Sequence, residues 1–294
     1  MNLKNNVELG LMHSEYFAGI AAYEYGGIAF KLDSVSALGV SFLRFGVDDI
    51  PNTLDLVDVN GNFDYNRITT FSSSDNAFLL SYARLLGPKG LSVGANAKII
   101  YRKVGQFANA IGFGLDASAS YKKDNWTFGA ILRDVTSTFN AWKFNTEELE
   151  EVFIRTGNDI PENSLEVTLP KMLVGAGYLF TIKNDFQIYP EANLEFTFDG
   201  KRNVLVKGNV VSIDAKLGVE ANYKKIVYLR CGLNNFQDET SIDGKKSKSF
   251  QPNIGVGIQF KKVALDYALT DVGDQSIALY SNVFSLRIGI NKRK

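Results

Sequence analysis

The chain has 294 residues, with 32 Lys and Arg against 32 Asp and Glu, one histidine and one cysteine. That balance leaves no basic surplus for a nucleic-acid partner. A single histidine rules out a histidine-rich metal cluster, and a lone Cys231 rules out an intrachain disulfide. No apolar run reaches the 18 or more residues of a membrane-spanning helix, which leaves strand-built membrane proteins open because they show only two-residue alternation.

Fourteen segments carry such alternation, near 7–13, 17–32, 37–46, 75–86, 91–103, 109–122, 125–134, 168–182, 185–199, 209–223, 226–235, 250–261, 262–273 and 277–290. In the second, Gly26-Gly27 shifts the apolar phase from Tyr23 and Tyr25 to Ile28 and Phe30, which predicts a β-bulge. The fifth alternates Leu91, Val93, Ala95, Ala97, Ile99 and Tyr101 with Ser92, Gly94, Asn96, Lys98, Ile100 and Arg102. Each such segment has an oily face and a polar one, and most exceed the five or six residues usual for a soluble strand. Their length suits a tilted strand crossing a bilayer.

Connections sort by length. Short turns follow every even-numbered segment through the twelfth, three of them with an aromatic followed by lysines: Tyr121-Lys122-Lys123, Tyr223-Lys224-Lys225 and Phe260-Lys261-Lys262. Long loops follow the third (about 47–74), the seventh (about 135–167) and the eleventh (about 236–249), all at the opposite end. This is the asymmetry of a membrane barrel with short periplasmic turns and long extracellular loops. The predicted fold is all-β, a 14-stranded antiparallel up-and-down transmembrane barrel, as one domain over 1–294. Met1 to Asn6 hold no apolar export signal, so the reading expects a signal peptide and N-terminal segment to be missing.

Polar faces place both signs of charge inside such a barrel. The expected lumen network is Lys98, Arg102, Asp116, Arg133, Glu191, Glu195, Asp214, Lys216, Glu220, Arg230, Asp266 and Arg287, paired or wetted, with Glu8 and Glu24 on the same faces. In the 135–167 loop, Asn145, Glu148 and the run Leu149, Val152 and Phe153 predict a short helix, either packed on the barrel rim or open to a partner. No residue pattern supports a catalytic, cofactor or metal site. His13-Ser14-Glu15 are adjacent on a strand and point apart, whereas triads are assembled from distant positions. Asp58-Val59-Asn60-Gly61 with Asp64 reads as a turn rather than a calcium loop, because its glycine falls too early. Cys231, between Leu229 and Leu233, reads as an inert thiol on the apolar face.

Several short motifs resemble the PorV/PorQ family in order and spacing: Ser81-Tyr82-Ala83-Arg84, Lys98-Ile99-Ile100, Trp126 with Gly129 and Leu132-Arg133, Leu169-Pro170 before Gly175-Ala176-Gly177-Tyr178, Leu229-Arg230-Cys231-Gly232, Leu265-Asp266-Tyr267-Ala268 and Phe284-Ser285-Leu286. The resemblance implies a FadL-like barrel in the outer membrane of a Bacteroidota-like Gram-negative bacterium. It also implies a non-enzymatic scaffold or cargo shuttle in type IX secretion, whose partners are outer-membrane lipid, the translocon and secreted cargo. The alternative is a FadL-like transporter of long-chain fatty acids or other hydrophobic solutes. The ending Asn291-Lys292-Arg293-Lys294 departs from that family's terminal aromatic.

Overall fold

The alternating segments pair edge to edge until the last meets the first. The computed structural model describes residues 3–58, 61–87, 90–147, 150, 153–154, 157, 159–183, 185–240, 243–270 and 280–291. In it the strands are β1 (Val7–Tyr16), β2 (Ala21–Lys31), β3 (Ser36–Asn52), β4 (Thr69–Leu86), β5 (Leu91–Val104), β6 (Ala108–Lys123), β7 (Trp126–Arg133), β8 (Thr138–Phe144) and β9 (Ser164–Thr168). They continue with β10 (Lys171–Tyr178), β11 (Phe180–Ile182), β12 (Phe186–Thr197), β13 (Ser212–Tyr223), β14 (Val227–Thr240), β15 (Lys246–Phe260), β16 (Val263–Thr270) and β17 (Ser281–Ile290). Every pairing is antiparallel, and β1 pairs both β2 and β17, which closes the wall.

Seventeen strands make fourteen wall positions because two positions are broken. β7 and β8 both pair β6, at Ala117–Lys123 and Ala108–Phe113 respectively, so together they form one position. β9, β10 and β11 form the next. The fold is therefore a closed 14-strand antiparallel barrel. The predicted loop at 135–167 is shorter than expected, since β8 and β9 extend its two arms. Most of the predicted long loop at 236–249 is strand instead, with β14 and β15 paired as far as Thr240 and Lys246 through a register shift at Asn234/Gln237. The segment 198–211, between β12 and β13, is longer than the sequence reading allowed.

Strand tilt is visible in the register. A row of paired residues leaves Tyr223 beside the β13–β14 turn and passes through Leu265, Leu11, Phe42 and Ile99. It then reaches Val167, near the long-loop end, by way of Phe113 and Phe139. Along this route neighbours face outward and stay apolar, as a lipid belt requires. Leu80, Ile99, Leu229, Ile258 and Leu265 are all more than half exposed. Aromatics cluster at the short-turn end, where Trp126, Phe128, Tyr178 and Phe180 contact one another at centroid distances of 4.6–5.7 Å.

The interior is hollow. The accessible surface is 18932 Å², about half as much again as a solid 32.5 kDa globule would expose. Among the described residues the buried apolar ones are all alanines, and the largest fully buried side chains are Thr138, Ser14, Ser212 and Ser281. Small residues on the lumen face make room for polar neighbours. A Cβ on Gly114 would overlap Thr138 Oγ1 and Lys98 Cε, and one on Gly112 would overlap Asn140 Oδ1.

Candidate functional site

Most of the expected lumen charges meet as ion pairs between neighbouring wall positions. Lys98 on β5 lies 2.7 Å from Asp116 on β6 and 2.6 Å from Asp134, with side chains only 12%, 10% and 9% exposed. Asp134 sits in the break between β7 and β8 with φ +53. Its N–H donates to Asp116 (3.0 Å), and its carboxylate accepts from the Thr138 hydroxyl. The triad therefore ties the β7–β8 break to β5 and β6. Higher up, Arg102 bridges Asp75 and Glu166 at 2.8 Å each and lies 4.9 Å from the Trp142 ring centroid.

Across the barrel, Glu195 on β12 takes Lys216 (2.7 Å) and Lys171 (3.5 Å). Arg230 on β14 spans Glu220 (2.7 Å) and Asp266 (2.6 Å). Glu191 accepts from Asn193 (2.7 Å). Asp214 lies opposite Glu195 in register, and its buried Oδ1 has no hydrogen-bond partner. Arg133 and Arg287 stand on lumen rows and are exposed. Asp75, Asp134, Glu166, Trp142 and Lys171 complete these clusters and were not singled out in the sequence, because their partners lie up to 64 residues away along the chain.

Two expectations need correction. β2 pairs β1 and β3 without any register shift, so Gly26-Gly27 is not a bulge. The phase change is instead an exchange of faces. Above Gly27, Glu24 points outward, where it receives His13 Nδ1 at 2.8 Å, and so it does not belong to the lumen network. In the same stretch the aromatics point inward. Tyr23, Tyr25, Leu43, Phe45 and Leu79 share the lumen rows of β2, β3 and β4. Phe45 packs on Tyr23 (6.2 Å) and on Tyr16 of β1 (6.4 Å). One flank of the lumen is thus apolar and aromatic, and the others carry the ion pairs.

The wall also has a seam. β9 pairs β8 along one edge and has no strand partner on the other among the described residues, because β12 ends at Thr197 opposite Lys171. Beyond Thr197 the chain turns towards β14. Val206 bridges Ile213, Asn203 exchanges two hydrogen bonds with the Asp238 backbone, and Lys207 reaches the Asp238 carboxylate at 2.6 Å.

The remaining sequence features fall into place simply. His13 pairs outward with Glu24 and lies 3.6 Å from Glu15 on the same face, while Ser14 is buried on the opposite one, so only Ser14 points away from its neighbours. Asp58 holds a turn, its carboxylate accepting from the Asn62 N–H (2.8 Å). Cys231 is an exposed outward residue between Val219 and Ile254. Of the expected loop helix, Leu149 and Val152 lie outside the described residues; Phe153 is helical and half-buried. In the turns outside the wall, Ser36 and Val35 hydrogen bonds hold the Asp33 carboxyl below its ordinary range, and Arg202 does the same for Asp199.

No protein-family model matches this chain, and no curated protein matches its sequence. Solved structures match in fold. The monoaromatic hydrocarbon channel CymD aligns with a TM-score of 0.58 and 11% identity, over 99% of this chain and 90% of CymD. The Pseudomonas putida toluene transporter TodX aligns at 0.57 and 10%, over 99% and 92%. The Ralstonia pickettii toluene transporter TbuX aligns at 0.53 and 12%, over 99% and 90%. The chain has the FadL-like outer-membrane barrel fold.

Proposed function

We propose that this protein is an outer-membrane channel of a Gram-negative bacterium for small hydrophobic solutes of about monoaromatic size. The observation that carries the reading is the apolar flank inside the hollow lumen: Tyr16, Tyr23, Tyr25, Leu43, Phe45 and Leu79. A purely aqueous pore gains nothing from such a surface. A ring-sized solute that buries about 100 Å² against it gains about 2.5 kcal/mol, enough to be drawn in and weak enough to leave. Under this reading the solute would leave at the β9–β12 seam, where no strand pairing closes the wall among the described residues. The named activities of CymD, TodX and TbuX, which share this fold, agree with this direction.

The test is uptake of radiolabelled toluene by proteoliposomes holding the purified barrel, against empty vesicles. Leu43→Asp with Phe45→Asp should cut uptake at least tenfold while the heat-modifiable, folded band persists. Uptake equal to that of empty vesicles, or unchanged in the double variant, would overturn the reading.

A second reading, the type IX scaffold or cargo shuttle of the PorV/PorQ kind, is favoured by one different feature. β8 and β9 stand towards the loop end with Phe139, Leu165 and Val167 exposed outward beside an open strand edge. Such an edge suits an extended partner segment. Shortening 145–163 should then abolish surface delivery of type IX cargo and leave toluene uptake intact.

A further inference from the structure

The outer wall is not evenly packed. Near the short-turn end, a depression of about 550 Å³ opens towards lipid between β7, β10, β11, β12 and β13. Trp126, Tyr178, Phe180 and Leu217 form its sides and Ala176 and Ala192 lie between them, with Gly177, Glu191 and Gly218 of the lumen rows also lining it. The aromatics, Leu217 and the two alanines are outward-facing by register. The hollow exists because alanines and glycines line its middle while aromatics and a leucine rim it. Pro190 also lies there, opposite the junction of β10 and β11, where the ladder is interrupted. Proline supplies no N–H to a ladder.

Charge surrounds the lower rim. The turns beneath the groove carry Lys122 and Lys123, Lys183, and Lys224 and Lys225, against Asp124 and Asp185. Lys123 is the register partner of Trp126, which itself lines the groove. An apolar slot continuous with the lipid belt, ending in a net positive rim at the headgroup level, has the form of an acyl chain joined to an anion.

We propose that this groove is a binding site for an anionic phospholipid of the inner leaflet, one acyl chain lying in the slot and the phosphate facing the turn lysines. A volume of this size is that of a small-molecule pocket, large enough for most of a chain. The site depends on the barrel's place in the membrane, not on what passes through its lumen.

Trp126 is the natural reporter, because the other tryptophan, Trp142, lies at the loop end. A Trp142→Phe barrel would be reconstituted in phosphatidylcholine vesicles containing brominated phosphatidylglycerol or, separately, brominated phosphatidylcholine at equal mole fraction. Brominated phosphatidylglycerol should quench Trp126 with about fivefold higher apparent occupancy, the preference expected from one well-placed lysine. Ala192→Phe, which fills the slot from the lipid side, should abolish the preference. Lys122→Gln with Lys123→Gln should reduce it while quenching by phosphatidylcholine persists. Equal quenching by the two lipids would overturn the proposal. So would a preference that survives Ala192→Phe, because it would place the anion on the turns alone. Solute uptake is read separately, so failure of the channel leaves this result standing, and the reverse holds too.

Discussion

Replacing Lys98 with methionine isolates the energetics of the break between β7 and β8. The ammonium sits between two nearly buried carboxylates, 2.7 Å from Asp116 and 2.6 Å from Asp134. Methionine is close in volume, so packing changes little, but two negative charges are left together without a cation. Removing one partner of a buried pair costs about 3–5 kcal/mol, mostly the desolvation of the charge left behind. Surface pairs cost less than about 1 kcal/mol, so the two cases separate cleanly. Equilibrium unfolding in urea, in detergent micelles, would be followed by tryptophan fluorescence; Trp126 and Trp142 lie on β7 and β8, one on each side of the break. Lys98→Met should lower stability by about 3–5 kcal/mol. Adding Asp116→Asn and Asp134→Asn should recover all but about 1 kcal/mol, since amides keep most hydrogen bonds without the charge. A single variant within about 0.5 kcal/mol of wild type would refute the argument, because it would mean that lumen water solvates the carboxylates as bulk water does.

Two further outcomes follow from the faces and the turns. Val219→Arg places a guanidinium on the lipid face and should cost about 2–4 kcal/mol near mid-membrane, whereas Gly218→Arg points into the lumen and should escape that penalty; equal losses in a lipid-vesicle folding titration would contradict the barrel's sidedness. Asp33 has a lowered pKa in the β2–β3 turn, so its contribution is present above its ordinary value of 3.8 and is lost as pH falls through the depressed folded value. The stability gap between wild type and Asp33→Ala should therefore narrow on acidification below about pH 4, and a gap that widens instead would overturn the assignment.

Strands such as β5, β6 and β13 were legible because each keeps one phase from end to end, and lipid on one side with water on the other enforces it. β8 escaped because the chain before it breaks at Asp134 and Ser137, both with positive φ, which ended the rhythm that defined the preceding strand. Its own alternation, Thr138 and Asn140 inward against Phe139 and Ala141 outward, is present but short. Gly26-Gly27 is a different case. A change of apolar phase need not be a change of register: here the backbone runs straight and the environment changes around it. The lumen's aromatic flank is invisible for the same reason, since alternating apolar residues such as Tyr23 and Tyr25 elsewhere mark the outer face. The charged residues of the lumen were legible by face; their partners were not, because register between distant segments such as β5 and the β7–β8 corner is set by closure of the whole barrel.

Closure also constrains how such a wall can come into being. Val7 meets Ile290 and Glu15 meets Asn282, so the two strands that seal the cylinder, β1 and β17, lie far apart in sequence. A solid domain can bury side chains in its centre as soon as part of it collapses, but this one has almost no centre to bury. Until β17 arrives, the growing sheet carries two bare edges and an oily convex face, each an invitation to aggregate. Closing the ring is therefore the one step that removes both edges at once, and every partly built sheet before it is the more hazardous species.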